Sequence, residues 1–347
     1  DYIVKFDRWN VRGGRRFPTN HGVRGESGLC LIASVWPQSG NSQAWMERCL
    51  RQLYFHMSTL TGKEGIWIEG PGYFYYAIHP FIQFGLSYYN LAAKNLFDLT
   101  DPPIRQTFES MIMIRQPDGY GPQYSDSDTR HVFQTTIARF FSVNKSWHYW
   151  ADDFTKTYPN SNIYPGLDLV YDFLFYEPWT AVEPADSGTK FYTKDQVAIF
   201  RTGFARDGRY VFLRGFDSND ENHEHWDQGN FQMWGYKTLL IVDGGYAGYE
   251  DTYNQYITDL VYPDGHNLVL VDGSGPHKRR FTKNNPDKFD LFKLSRYAKT
   301  DFLDTTDIEG DYSHTGSLPD GWKPLPCVDV ITGRACDATS SENVTNV

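Results

Sequence analysis

The sequence contains no apolar run long enough to span a bilayer, no surplus of positive charge and almost no cysteine. The first absence argues against a helical membrane anchor within the chain. The second, a formal charge of −10, argues against a general nucleic-acid binder, because such proteins present a basic face. The third is a matter of spacing as well as number. The four cysteines, Cys30, Cys49, Cys327 and Cys336, form no CxxC pair, which removes the usual structural zinc site. Cys327 and Cys336 flank a short loop and can pair in an oxidising compartment, whereas Cys30 stands in an apolar run and is expected as a buried thiol. The chain also lacks an initiator methionine and a signal peptide, so a mature product or an excerpt is expected.

Aromatic residues, by contrast, are abundant: they make up 17% of 347 residues, with 10 Trp, 24 Tyr and 24 Phe. That is more than a core needs, and the surplus rings either line a cleft that stacks on flat sugar faces or simply enrich the core in aromatics. The arginines collect in "DRWNVRGGRRF", with Arg24 just beyond, and basic residues recur in "HKRRFTK"; each run serves equally as a local anion site or as solvated surface. Sequons at Asn144 and Asn343 are too common by chance to decide the source.

Residues 25 to 180 have helical periodicity. "QAWMERCLRQLYFHM" and "IHPFIQFGLSYYNLAAKNLF" space their apolar residues for one helix face, and "PPIRQTFESMIMI", "RHVFQTTIARFF" and "LDLVYDFLFY" continue the pattern. After "EPWTAVEPADSG" the period changes. "QVAIFRTG", "RYVFLRGF", "NFQMWGY", "KTLLIVDGG", "HNLVLVDG" and "DLFKLSRYA" are short and alternating, separated by Gly or Asp turns, as antiparallel strands are. Helices followed by strands predict segregated domains, 1–180 and 190–347, with a boundary near 178–192 and no internal repeat.

Three stretches carry chemistry. In "NHEHWDQGNF", a strand would point His223, His225 and Asp227 to one face and Glu224 and Trp226 to the other. Such a face is either a polar wet surface or a divalent-cation site, to which Asp243 in "DGGY" and His266 in "HNLVLVDG" can add donors suited to zinc or manganese. The metallo-β-lactamase type of HxHxD site continues with a histidine, and here Gln228 follows. In "FPTNHGVRGES", Asn20, His21 and Arg24 precede a helix expected from about Glu26; Asn20 is a neutral donor or simply a turn or cap residue. In "WIEGPGYFYYAIHPF", Gly70, Pro71 and Gly72 break the chain before a helix whose first turns carry Tyr73, Tyr75 and Tyr76. A helix N-terminus eases formation of a phenolate, though tyrosines also pack helix ends.

In that order, "NHG", "EGPGY", the HxH pair, "DGGY" and "HNLVLVDG" resemble the heparinase II/III-like polysaccharide lyases, a group that includes alginate and heparin lyases and is similar to dermatan sulfate epimerase. The resemblance runs from about residue 10 to 300. It implies an incomplete (α/α) toroid followed by an antiparallel β-sandwich, both truncated here, and a secreted or periplasmic enzyme with an anionic polysaccharide substrate. It implies that Asn20 and His21 neutralise a uronate carboxylate, that Tyr73 is the catalytic phenol and that His223 faces substrate. His225, Asp243 and His266 would hold a structural metal, zinc or sometimes manganese, with Asp227 outside the ligand set. Arg24 stands where some members carry an acidic residue, and is a candidate for substrate binding. A further tyrosine assists some members; Tyr253, Tyr256 and Tyr262 are available, with Tyr256 the candidate for substrate binding.

These residue types suit β-elimination next to a uronate. The C5 proton becomes acidic only when donors stabilise the enolate-like carboxylate, and a phenol or imidazole then takes it. The acidic charge and scarcity of Lys and Arg after residue 30 suggest alginate, with a glycosaminoglycan lyase or a uronate C5-epimerase as alternatives. A glycoside hydrolase would need two paired carboxylates; Glu26, Glu69 and Asp126 are available without a pairing motif. A non-catalytic sugar-binding module would keep the aromatics without the Tyr/His set.

Overall fold

A computed structural model describes residues 11–12, 15–16, 19–127, 188–215, 223, 225–246 and 260–270. The segments "RHVFQTTIARFF", "LDLVYDFLFY" and "DLFKLSRYA", the run "HKRRFTK", Tyr253, Tyr256 and the pair Cys327 and Cys336 all lie outside the described residues, as do residues 178–187 of the expected boundary. The chain divides into two compact units. One holds the described residues through Leu60 together with Tyr76–Pro102, and the other holds Thr61–Tyr75 and the described residues from Pro103 on.

A short antiparallel pair opens the described chain, β1 (Val11–Arg12) with β2 (Arg15–Arg16). Four helices follow: α1 (Asn20–Val35), α2 (Ser42–Leu60), α3 (Pro71–Ala92) and α4 (Ile104–Met113). Helix α1 begins six residues before the expected Glu26, because Thr19 is its cap. The Thr19 hydroxyl accepts from the Gly22 N–H at 2.9 Å, which satisfies one of the donors left open by the first turn. Asn20 is therefore the first helical residue and not the cap. Helix α2 lies against α1, with Val23, Leu29, Cys30, Cys49, Leu50, Leu53 and Met57 all buried. Gly22 permits that approach, since a Cβ there would stand 2.2 Å from Nε2 of His56.

Cys30 is buried as expected, but it is no free thiol: it is bonded to Cys49. An apolar run signals burial and says nothing of the partner. The pairing follows from the packing of α1 on α2, which brings their Cα atoms to 5.6 Å, well inside disulfide range.

In the second unit, β3 (Lys190–Tyr192), β4 (Val197–Arg201), β5 (Tyr210–Arg214), β6 (Phe231–Gly235) and β7 (Thr238–Ile241) form one antiparallel meander in sequence order. The alternation read from the sequence sets its faces. Val197, Ile199, Tyr210, Phe212 and Trp234 are buried, with Ile199 opposite Phe212 and Tyr210 opposite Trp234, while Phe191, Phe200 and Leu213 are exposed. Helix α4 is tied to this sheet by polar groups. Arg201 donates from its guanidinium to the carbonyls of Met113 at 2.5 Å and Arg115 at 2.7 Å, and the Tyr210 hydroxyl donates to the Ile114 carbonyl at 2.7 Å. These donors meet carbonyls that the end of a helix leaves open.

The expected strand around "NHEHWDQ" is not formed among its described residues; β6 begins only at Phe231. His223 sits at φ 65°, in the left-handed region that no strand residue adopts. Asp227 closes a turn, its carbonyl accepting from the Asn230 N–H at 2.8 Å. Likewise His266 to Leu270 of "HNLVLVDG" form no strand.

Candidate active site

The loop Gln123–Ser127 organises the second unit's polar cluster. The Ser125 hydroxyl donates to the Ile68 carbonyl at 3.0 Å, and the Tyr124 hydroxyl donates to the Trp67 carbonyl at 2.8 Å. The Ser127 hydroxyl accepts from the Gly72 N–H at 2.9 Å, in the first turn of α3. A Cβ on Gly70, which sits at φ 88°, would stand 2.3 Å from Ser127 Oγ, so a side chain there would force the turn to shift. Gly70 thus lets the turn before α3 settle against this loop, and Tyr73 follows in the first turn of the helix.

The same loop holds the histidines. Oδ2 of Asp126 lies 2.7 Å from Nδ1 of His223, and Oδ1 lies 2.9 Å from Nε2 of His225. The Asp126 N–H also donates to the His223 carbonyl at 2.8 Å, which helps hold a backbone conformation that costs on the order of 1 kcal/mol or more for a residue other than glycine. Burial alone would raise the Asp126 carboxyl, but the hydrogen bonds from His223 and His225 and their charge outweigh it and hold the group below its ordinary value.

His223 stacks on Tyr73, with ring centroids 3.7 Å apart and planes 19° from parallel. The Tyr73 hydroxyl is 3.5 Å from that of Tyr246, whose loop approaches Ser127 so closely that a Cβ on Gly245 would meet the Ser127 carbonyl at 2.5 Å. The structure therefore gathers Tyr73, His223, Asp126 and Tyr246. Of these, Tyr246 is not singled out by the sequence, and Asp126 stands there only as a carboxylate available to a hydrolase. Tyr246 belongs to "DGGY", so a signal for it existed. Asp126 lies in a loop of irregular "YSDSD", where neither helical nor strand periodicity points to a partner.

Of the expected metal set, Nδ1 of His266 donates to Oδ2 of Asp243 at 2.6 Å, and the His225 and His266 ring centroids are 5.4 Å apart. Asp243 also accepts from Asn230 Nδ2 on Oδ2 at 2.9 Å and from the Gly245 N–H on Oδ1 at 2.8 Å, which leaves one lone pair, on Oδ1. Among the described residues, no group of three or more His, Cys, Asp or Glu is arranged to hold an ion. The donors do fit zinc chemically: two imidazoles and a carboxylate stand in one cluster, and Nε2 of His266 is buried with no hydrogen-bond partner. Burial opposes the charged form of His266, but the Asp243 hydrogen bond and the carboxylates of Asp243 and Asp227 raise its pKa. Asp227 takes no part in that set; it is fully buried and paired with the equally buried Arg214.

In the first unit, the Arg24 guanidinium lies 4.1 Å from the centroid of the Tyr76 ring and donates to the Tyr76 carbonyl, and His21 meets the same ring edge-on at 5.4 Å. Asn20 is buried and His21 exposed. His56 accepts the Thr19 N–H on Nδ1 at 3.3 Å, beneath the turn that carries them.

Neither the family models nor the curated protein sequences match the chain. Solved structures do. A heparinase III gene product matches with a TM-score of 0.53 and 18% identity over 79% of this chain and 40% of that one. The same protein with methylated lysines gives a TM-score of 0.54 at 17% identity, over 79% and 39%. A further structure described as heparinase III gives 0.53 at 16% identity, over 79% and 41%. The chain therefore shares the helix-then-antiparallel-sheet fold of these proteins, and spans about two fifths of their length.

Proposed function

We propose that the chain is the site-bearing part of a polysaccharide lyase that cleaves 4-linked uronate polysaccharides by β-elimination. The observation that carries this is the Tyr73 phenol stacked on His223, with the imidazole held by Asp126. A phenol and an anchored imidazole in one place supply both an acid and a base. The C5–H bond breaks as the proton passes to the base, the electron pair forms the C4–C5 double bond, and the C4–O bond breaks with a proton delivered to the leaving oxygen. Where proton and leaving group share a face, Tyr73 performs both transfers; where they are opposed, His223 accepts and Tyr73 donates. Tyr246, with its hydroxyl 3.5 Å from that of Tyr73, is a further candidate for the assisting tyrosine beside Tyr253, Tyr256 and Tyr262. Asn20 and His21 keep the carboxylate-neutralising roles that the resemblance implies, and Arg24, whose guanidinium is a fork for a carboxylate, stays a candidate for substrate binding on its own chemistry.

His225, Asp243 and His266 would hold a divalent ion, zinc by their donor set, which would brace the loops structurally. The toroid and the sandwich remain part of this reading, supported by helices through Met113 and the sheet from Lys190 to Ile241. A secreted or periplasmic setting is supported by the Cys30–Cys49 disulfide. No helix among the described residues is long and apolar enough to cross a membrane.

For the substrate, two readings stand. The composition favoured alginate; the proteins whose fold the chain shares are described as heparinases, which favours a glycosaminoglycan. Incubation with alginate, heparin, heparan sulfate and chondroitin substrates, followed by ultraviolet absorbance of the unsaturated uronate, decides. A rise with one class assigns it. No rise with any, together with deuterium exchange at C5, would identify an epimerase instead; neither signal would sink the enzymatic reading.

A further inference from the structure

The two histidines of "HEH" meet Asp126 through different nitrogens. His223 presents Nδ1 to Oδ2 at 2.7 Å, and His225 presents Nε2 to Oδ1 at 2.9 Å. A carboxylate has only acceptors, so each facing nitrogen must carry a proton, and in a neutral imidazole the other nitrogen then bears the lone pair. We propose that Asp126 is a positioning residue that fixes opposite tautomers on His223 and His225, leaving the lone pair on Nε2 of His223 and on Nδ1 of His225.

The geometry explains how neighbours in sequence come to present opposite nitrogens. His223 turns through the left-handed region at φ 65°, and its carbonyl is clamped by the Asp126 N–H. His225 lies beyond that turn, and the Trp226 N–H anchors the chain to the Val261 carbonyl at 2.9 Å. Asp126 is itself rigid, since Ser125 and Ser127 on either side are bonded to Ile68 and Gly72. The consequence is a division of labour. The side chain of His223 is 14% exposed, and that of His225 only 1%. The first can offer Nε2 to substrate, while the buried second can offer Nδ1 to an ion. This use of the two nitrogens rests on the proposed lyase reading; the tautomers themselves do not.

The test uses the full chain with 15N-labelled histidine. Long-range 1H–15N correlation spectra above neutral pH distinguish the protonated ring nitrogen, and His223→Gln and His225→Gln variants assign the signals. The expected result is Nδ1–H on His223 and Nε2–H on His225. Asp126→Asn replaces one acceptor oxygen by a donor, so one imidazole must change tautomer. With a preserved melting transition, kcat should fall about 10²- to 10⁴-fold while KM stays within about threefold. Asp126→Glu, which keeps the carboxylate, should retain both tautomers. A wild-type spectrum with the proton on Nε2 of His223 overturns the proposal, even where no Asp126 variant folds. Unchanged tautomers and unchanged kcat in Asp126→Asn also overturn it. A protein with the stated tautomers and no lyase activity would refute the proposed function and leave this inference standing.

Discussion

Removing the Cys30–Cys49 disulfide should weaken the first unit by an amount that the chain itself sets. The bond closes a loop with a sequence separation of 19. In the chain-entropy account, a loop of that length constrains the unfolded state by about 11 cal/mol/K, or about 3 kcal/mol at 25 °C. Alanine is the right replacement at both positions, because each cysteine is completely buried and a serine hydroxyl would need a partner there. The double variant Cys30→Ala/Cys49→Ala should therefore show an unfolding midpoint lower by roughly 6–12 °C, taking about 2–4 °C per kcal/mol for a unit of this size. Calorimetry measures the shift, and urea titration should show a lower midpoint with little change in slope. A second readout is independent of stability. In denaturant without reductant, Cys30 and Cys49 should not react with a thiol reagent, and should do so once reduced. Full reactivity of both before reduction, or a midpoint unchanged by the double substitution, would refute the assignment.

The buried Arg214–Asp227 pair predicts an asymmetric response: Asp227→Asn strands a guanidinium and should cost about 3–5 kcal/mol by urea unfolding, while Arg214→Met with Asp227→Leu should cost much less. His79 predicts a pH dependence. Burial, with the Arg24 charge adding to it, lowers its pKa from 6.5 to about 4, so the unfolded chain binds the proton first as pH falls. Its contribution is complete above about pH 6.5 and is lost between there and about pH 4; it amounts to on the order of 3 kcal/mol. His79→Leu should flatten that part of the stability profile, and an unchanged slope would contradict it. Gly70→Ala forces a Cβ against Ser127 Oγ at a left-handed φ, so Tyr73 must shift; kcat should fall about 10²-fold while the fold persists, as read by circular dichroism.

Helices α2 to α4 and strands β4 to β7 were legible because each buries one face, and burial of one face imposes a period on the sequence. The start of helix α1 was not legible, because its cap, the Thr19 hydroxyl on the Gly22 N–H, is one polar contact that leaves no apolar period in the first turn. Tyr73 and His223 were legible as motif members, and their stacking confirms proximity, not role. Asp126 was legible only as an available carboxylate, not as the partner of the two histidines. It acts through two histidines about a hundred residues away, from a loop whose backbone needs are met by Ile68 and Gly72, and no local pattern encodes that. The strand expected at "NHEHWDQ" failed for the same reason, since the loop's partners, and not its alternation, determine its backbone. Cys49 was read as one apolar position of α2 among several, and only the packing of two helices shows it beside Cys30.

The central claim is that Tyr73 handles the proton in β-elimination. It is tested most directly by comparing wild type with Tyr73→Phe on the uronate polysaccharide that the wild type cleaves. Loss of the phenolic hydroxyl leaves the ring to stack on His223, so the account predicts a preserved melting transition and an ultraviolet signal of unsaturated uronate reduced by about 10³-fold or more. A Tyr73→Phe protein that still produces unsaturated uronate at a rate within about tenfold of wild type would contradict it.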